Sequence, residues 1–267
     1  MPVLRVVGYA GSLAIVAAVA VQAGGELDPA SLELWPLPLA LALVAVWWLL
    51  LAAGWGLLVA GAVRRADVGS WCRTQALRYL PGGLWAPASR VVIVRGSLLD
   101  KFATVGAENV IALCAALALG GVALTASGRP AWLALALTIA VPALASRFLA
   151  SRTRVAPERA VPATAIYVAA FAAYAGAAVL VQGAVSGFED PLAVAGAALV
   201  AWGAGLVVVI APGGVGVREA AYVGLLSGTM NESDLAAAAV TLRVLTVFSE
   251  VAVLLVAARP VPDPAPG

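Results

Sequence analysis

Histidine is absent from the 267 residues, cysteine occurs only twice, and only 11% of the chain is charged. Each shortage excludes something. Without histidine the chain lacks the commonest general acid–base and the commonest metal ligand. Cys72 and Cys114 stand far apart with no metal-ligand spacing and read as packing residues. Globular domains carry about 25% charged residues, so this chain has too little polar surface to cover a water-facing exterior. Its net charge of +2 is small and does not imply nucleic acid as a partner. The expectation is a protein with no catalytic residue, no metal, no cofactor and no enzymatic activity.

Hydrocarbon is what the chain has in abundance: 63% of its residues are hydrophobic and the mean hydropathy is +1.01. A spanning helix needs about 20 apolar residues. Val6–Ala23, Leu37–Val63, Phe102–Ala126, Ala131–Leu149, Ala163–Ser186 and Leu235–Ala258 each read as a full crossing. Two further apolar regions, Gly69–Ser97 and Leu192–Ser227, are interrupted at Pro81-Gly82-Gly83 and Pro212-Gly213-Gly214. Proline removes a backbone donor and two glycines loosen the chain, so neither region continues as one helix. Each reads as a re-entrant helical hairpin, whose freed backbone groups are tolerated at membrane depth only beside protein or water. The fold class expected is an all-α polytopic membrane protein, six full crossings and two broken hairpins, in the plasma (inner) membrane. Val6–Ala23, with Arg5 before it and Val21-Gln22-Ala23 at its end, also fits a cleaved signal peptide; the repeat described next favours its retention.

If both hairpins enter and leave on one side, all of the 16 basic residues except Arg129, Arg218 and Arg243 fall toward one side of the membrane. Glu26, Asp28, Glu33, Glu189, Asp190, Glu232 and Asp234 fall on the other. The rule that basic residues stay inside then puts both termini in the cytoplasm. The two Pro-Gly-Gly triplets are 131 residues apart, and a shift of about that length lays each crossing of the first half on one of the second. Repeat one covers about 5–126 and repeat two about 131–258, inverted relative to each other, within a single membrane domain 1–258. A proline-rich tail, 259–267, is expected to be disordered. Inverted halves with broken helices are the pattern of secondary transporters, whose site lies where the halves meet.

Charges inside spans are costly and mark function or packing. Arg243, Thr246 and Glu250 fall at i, i+3 and i+7 on one face of the last span, and Glu108 and Asn109 lie inside the third crossing. The expectation is that Glu108 or Glu250 neutralises Arg243 across the seam between the halves; a buried pair that merely fixes helix packing is the plainer alternative. Pro212, Gly213, Gly214 and Gly216 lead into a helix that begins near Arg218 and Glu219. Glycine-rich backbone at a helix N-terminus offers free N–H groups, Arg218 adds a charge able to fork onto phosphate, and Glu219 favours the helix start. Arg78 and Arg90 flank the first break in an analogous way, while Arg95 reads as snorkelling to lipid headgroups. Six tryptophans cluster in the first half: Trp35, Trp47, Trp48, Trp55, Trp71 and Trp85. Interfacial anchoring accounts for most of them.

Ala211-Pro-Gly-Gly-Val-Gly-Val-Arg-Glu-Ala220, followed by an apolar helix, resembles the signature of the lysylphosphatidylglycerol synthetase transmembrane region, also called the flippase-like domain. Arg78-Tyr-Leu-Pro-Gly-Gly83 with Arg90 resembles that family's first block, although Trp85-Ala86-Pro87 departs from the glycine expected there, and Leu242-Arg243 resembles its last helix. The resemblance runs from about Val6 to Ala258. It implies movement of a phosphate-bearing lipid between leaflets: a phospholipid, an aminoacylated phospholipid or a polyprenyl-phosphate-linked molecule. The cytosolic synthase domain of the two-part members has no counterpart in this sequence, so synthesis of lysylphosphatidylglycerol is not expected. The alternative is a non-transporting membrane partner of a lipid-modifying or glycosyl transferase.

Overall fold

The structure is a computed structural model that describes residues 33–79, 85–149, 153, 155–208 and 211–257. The expected first crossing Val6–Ala23, the first break Pro81-Gly82-Gly83 and the tail 259–267 lie outside the described residues. The described residues are helical throughout their regular structure, and five of the helices are long and apolar enough to cross a membrane.

Helix α1 (Leu37–Ala60) begins after Pro36 and ends where Gly61 takes the left-handed conformation that terminates helices. Helix α2 (Arg65–Gln75) runs into a 3-10 turn, Ala76–Tyr79, and α3 (Trp85–Ile93) follows the first break. Helix α4 (Leu98–Ala126) opens on a capping box in which Ser97 and Asp100 satisfy each other's backbone N–H. The fourth expected crossing divides into a ten-residue 3-10 stretch, Pro130–Ile139, and α5 (Ala140–Leu149). Helix α6 (Pro157–Ser186) is the longest of the bundle. Helix α7 (Pro191–Val207) and α8 (Val217–Leu226) flank the second break, and α9 (Glu232–Ala257) closes the described chain.

The core is built where α1 lies along α6, with α9, α4 and α7 packed around that pair. Small residues let these helices approach closely, as expected where dispersion and backbone proximity replace the hydrophobic drive between helices. A Cβ on Gly54 would stand 2.2 Å from the Tyr167 ring, and one on Gly120 would meet the Gly196 carbonyl at 3.2 Å. Tyr167, Phe171, Trp47, Trp48 and Trp55 fill the centre and are almost wholly buried.

The second break is broken in the way its sequence requires. Gly213 and Gly214 have φ of 60° and 70°, a region that side chains with a Cβ rarely enter. Helix α8 then folds back against α7. The 3-10 turn preceding the first break touches the turn Pro212–Gly214, so the two interrupted regions meet inside the bundle.

Candidate functional site

Where the 3-10 turn Ala76–Tyr79 meets the second break, a cavity of about 590 Å³ opens. Its walls come from α1, α2 and the 3-10 turn after it, α3, α4, α6, α7, the second break and the start of α8, including Arg78, Arg90, Glu108, Asn109, Gly213, Gly214 and Arg218. Of the candidate binding and buried-charge residues read from the sequence, these seven share one cavity. Gly216, Glu219, Arg243, Thr246 and Glu250 do not line it. Arg218, Glu219, Arg243 and Thr246 instead surround a second cavity of about 30 Å³, with Tyr174 and Tyr222. Arg218 is therefore the wall between the two spaces.

The expected partner of Arg243 is corrected by the geometry. Neither Glu108 nor Glu250 neutralises it; its Nε lies 3.2 Å from Oε1 of Glu219, and its Nη2 donates to the Gly213 carbonyl at 3.1 Å. Glu250 pairs with Arg78 at 2.8 Å, and Glu108 pairs with Arg90 at 2.5 Å. The spacing i, i+3, i+7 on α9 did place Arg243, Thr246 and Glu250 on one buried face. It did not reveal that Arg243 faces the second hairpin and Glu250 the first. Thr246 donates its hydroxyl to Leu242 O, and its own carbonyl accepts from Trp48 Nε1.

Arg90 is held on every side. Nη1 donates to Glu108 Oε1, Nε donates to Thr74 Oγ1 at 3.0 Å, and Trp71 Nε1 donates to the same Glu108 oxygen at 2.6 Å. Burying a charge this deeply is tolerated because it is paired and hydrogen-bonded. Asn109, by contrast, turns its amide back to Val105 O and is half-buried at the cavity wall.

Helix α8 also differs from the expectation of an open anion-binding N-terminus. The Glu219 carboxylate accepts from the Gly216 N–H at 2.7 Å, so the protein's own acid occupies that donor. The cationic group left facing the cavity is Arg218. Among the described residues it has no carboxylate partner, and its Nε makes no hydrogen bond. Its side chain runs through a slot between two glycines: a Cβ on Gly205 would stand 2.4 Å from Arg218 Cγ, and one on Gly214 2.8 Å from Nε.

Each cavity arginine also lies over an indole, a feature the sequence reading missed. Arg78 sits 4.6 Å from the Trp48 ring, Arg90 5.0 Å from Trp71 and 5.8 Å from Trp55, and Arg218 5.3 Å from Trp202. Trp47 stacks beside Trp48 and Tyr174, with centroids 4.4 and 4.8 Å apart. Interfacial anchoring is thus overturned for Trp47, Trp48, Trp55 and Trp71, which are buried; Trp35 and Trp85 remain exposed and lie outside the cavity wall. The available signal was depth. Trp47 and Trp48 fall half-way along a 24-residue span, too far from either end to sit at headgroup level. Arg95 is exposed, as its snorkelling assignment requires.

Residues 140–253 match the lysylphosphatidylglycerol synthase TM region. That family's segment contains the break Pro212–Gly214, Arg218, Glu219 and the Leu242-Arg243 pair, on which the sequence resemblance rested. Arg78 and Arg90 lie before the matched residues. Comparison with curated proteins and with solved structures gives no match. Five long apolar helices among the described residues, together with a segment similar to this family, make the chain a multi-pass membrane protein.

Proposed function

We propose that the protein is a non-enzymatic transporter that carries a phosphate-bearing lipid between leaflets of the plasma membrane. Its two halves are inverted repeats, its termini are cytoplasmic, and Arg218 holds the phosphate. The observation that carries this reading is the charge state of the cavity. Arg78 and Arg90 each pair with a carboxylate, while Arg218 reaches the same space with no ion-pair partner among the described residues. An uncompensated cation at bilayer depth is expensive, and a headgroup phosphate supplies the missing charge through a forked, charge-assisted contact. The lipid need not be aminoacylated; phospholipid and polyprenyl phosphate present the same group.

Reconstitution into liposomes with a labelled phosphatidylglycerol tests the reading. The wild-type protein is expected to accelerate translocation, and Arg218→Ala to lower the rate by about tenfold to a hundredfold, the worth of a charge-assisted hydrogen bond of about 1.5–3 kcal/mol. Failure to move phosphatidylglycerol, polyprenyl phosphate or lipid extracted from the native membrane would sink it. Unaltered function of Arg218→Ala in cells, with tight co-purification of a transferase, would point to the non-transporting partner instead.

A further inference from the structure

The large cavity is not sealed within the bundle. Four residues of its wall are exposed: Ala88 of α3, Phe102 and Gly106 of α4, and Val208 just past α7. Helices α4 and α7 cross antiparallel. A Cβ on Gly120 would meet Leu199 and Val200, and one on Gly203 would meet Leu113 and Leu117. Continuing that register carries Gly106 to the far end of α7, and there Val208 and Ala211 share the cavity wall with it.

On α4, Phe102, Gly106 and Val110 recur every four residues and form one exposed apolar stripe. Phe102 is 62% exposed and Val110 41%. Gly106 interrupts the stripe, and a Cβ there would meet nothing within 4 Å. This sets it apart from Gly120 and Gly203, whose missing side chains admit a neighbouring helix. A glycine within a helix weakens it relative to alanine, and at Gly106 no close approach of a neighbour requires one. What it leaves is a notch in the wall, rimmed by hydrocarbon side chains on a spanning helix.

We propose that Gly106 is the doorway through which the hydrocarbon chain of the bound lipid passes, its phosphate inside at Arg218 and its chain outside along Phe102 and Val110. The inference rests on the reading of the cavity as a headgroup site and adds where the chain leaves it. A volume of about 590 Å³ lies in the range that encloses a small molecule, enough for a headgroup while the chains stay in the bilayer. An apolar rim suits that division, because a chain crossing it exchanges one hydrocarbon contact for another, whereas a charged headgroup at the same rim would find no partner.

The test uses full-length protein in phosphatidylglycerol-containing vesicles and two photoreactive phosphatidylglycerols, one labelled in the headgroup and one mid-chain. The headgroup probe is expected to mark residues around Trp202 and Arg218, and the chain probe the peptide from Phe102 to Val110. Gly106→Trp should abolish chain labelling and slow translocation by about tenfold or more, with unchanged thermal stability. Val122→Trp, at an exposed position of the same helix that does not line the cavity, should stay close to wild type. If the headgroup probe labels the cavity while the chain probe labels another face, or if Gly106→Trp transports at the wild-type rate, the doorway is wrong and the headgroup site stands. If neither probe labels the cavity, both ideas fail.

Discussion

Arg90 and Arg218 line one cavity and are held there in opposite ways. Arg90 is enclosed by Glu108, Thr74 and two indoles, so its guanidinium belongs to the scaffold. Arg218 has an indole and two glycines beside it but, among the described residues, no ion-pair partner. Glu108→Gln should therefore leave a buried cation without its counter-charge and cost about 3–5 kcal/mol of stability, read as a lower melting temperature in detergent. Joint replacement, Arg90→Met with Glu108→Leu, should recover most of that loss, since apolar residues of similar volume substitute well for a buried pair. Arg218→Met should do the reverse: melt at or above the wild-type temperature and lose transport, because no partner is orphaned. A destabilised Arg218→Met would make Arg218 a packing residue and contradict its role. The difference between the two arginines was not legible in the sequence. Both sit next to a Pro-Gly-Gly break, and only the fold decides which of them meets a carboxylate.

The elements show the same division between packing and function, and glycine separates the two. Gly54 and Gly205 both stand where a methyl group would collide, but with different neighbours. At Gly54 the obstacle is the Tyr167 ring, fixed in the centre of the α1–α6 contact, so Gly54→Ala should overpack the core and cost about 1–3 kcal/mol. At Gly205 the obstacle is the flexible stem of Arg218, which can swing away. Gly205→Ala should therefore leave the melting temperature near wild type while lowering transport as far as Arg218→Ala does. Equal losses of stability in the two variants would show that the slot does not position the guanidinium. Several elements were legible beforehand because their signals are local. The long apolar runs became α1, α4, α6 and α9, and Pro212-Gly213-Gly214 broke where φ must turn positive. The 3-10 stretch Pro130–Ile139 was not foreseen, since its residues are ordinary helix formers. Its backbone comes close to Gly121, where a Cβ would stand 2.6 Å from the Trp132 carbonyl. That proximity belongs to the packed state, not to the segment.

Across the whole molecule, α9 ties the two interrupted regions together. Glu250 holds Arg78 before the first break, while Arg243, two turns earlier on the same face, holds Glu219 and the Gly213 carbonyl at the second. The sequence placed Arg243 and Glu250 on one buried face but assigned the wrong pairs. Pairing across the bundle depends on helix rotation, and no spacing along one chain reports that. The arrangement gives α9 a mechanical meaning that can be measured. Seven residues at about 1.5 Å each separate Arg243 from Glu250 by about 10 Å, and their ion pairs among the described residues are with different partners. Substitutions that far apart usually add to within about 0.3–0.5 kcal/mol. Melting temperatures of Arg243→Gln, Glu250→Gln and the double variant should follow that rule. Transport rates should not, if the two hairpin tips shift as one body on α9. Releasing either tie would then already uncouple them, and the second substitution would add little. A coupling energy of about 1 kcal/mol or more in the rates, beside additivity in stability, is the expected result. Additive rates would mean that each hairpin acts alone, and that α9 is only the wall on which both happen to rest.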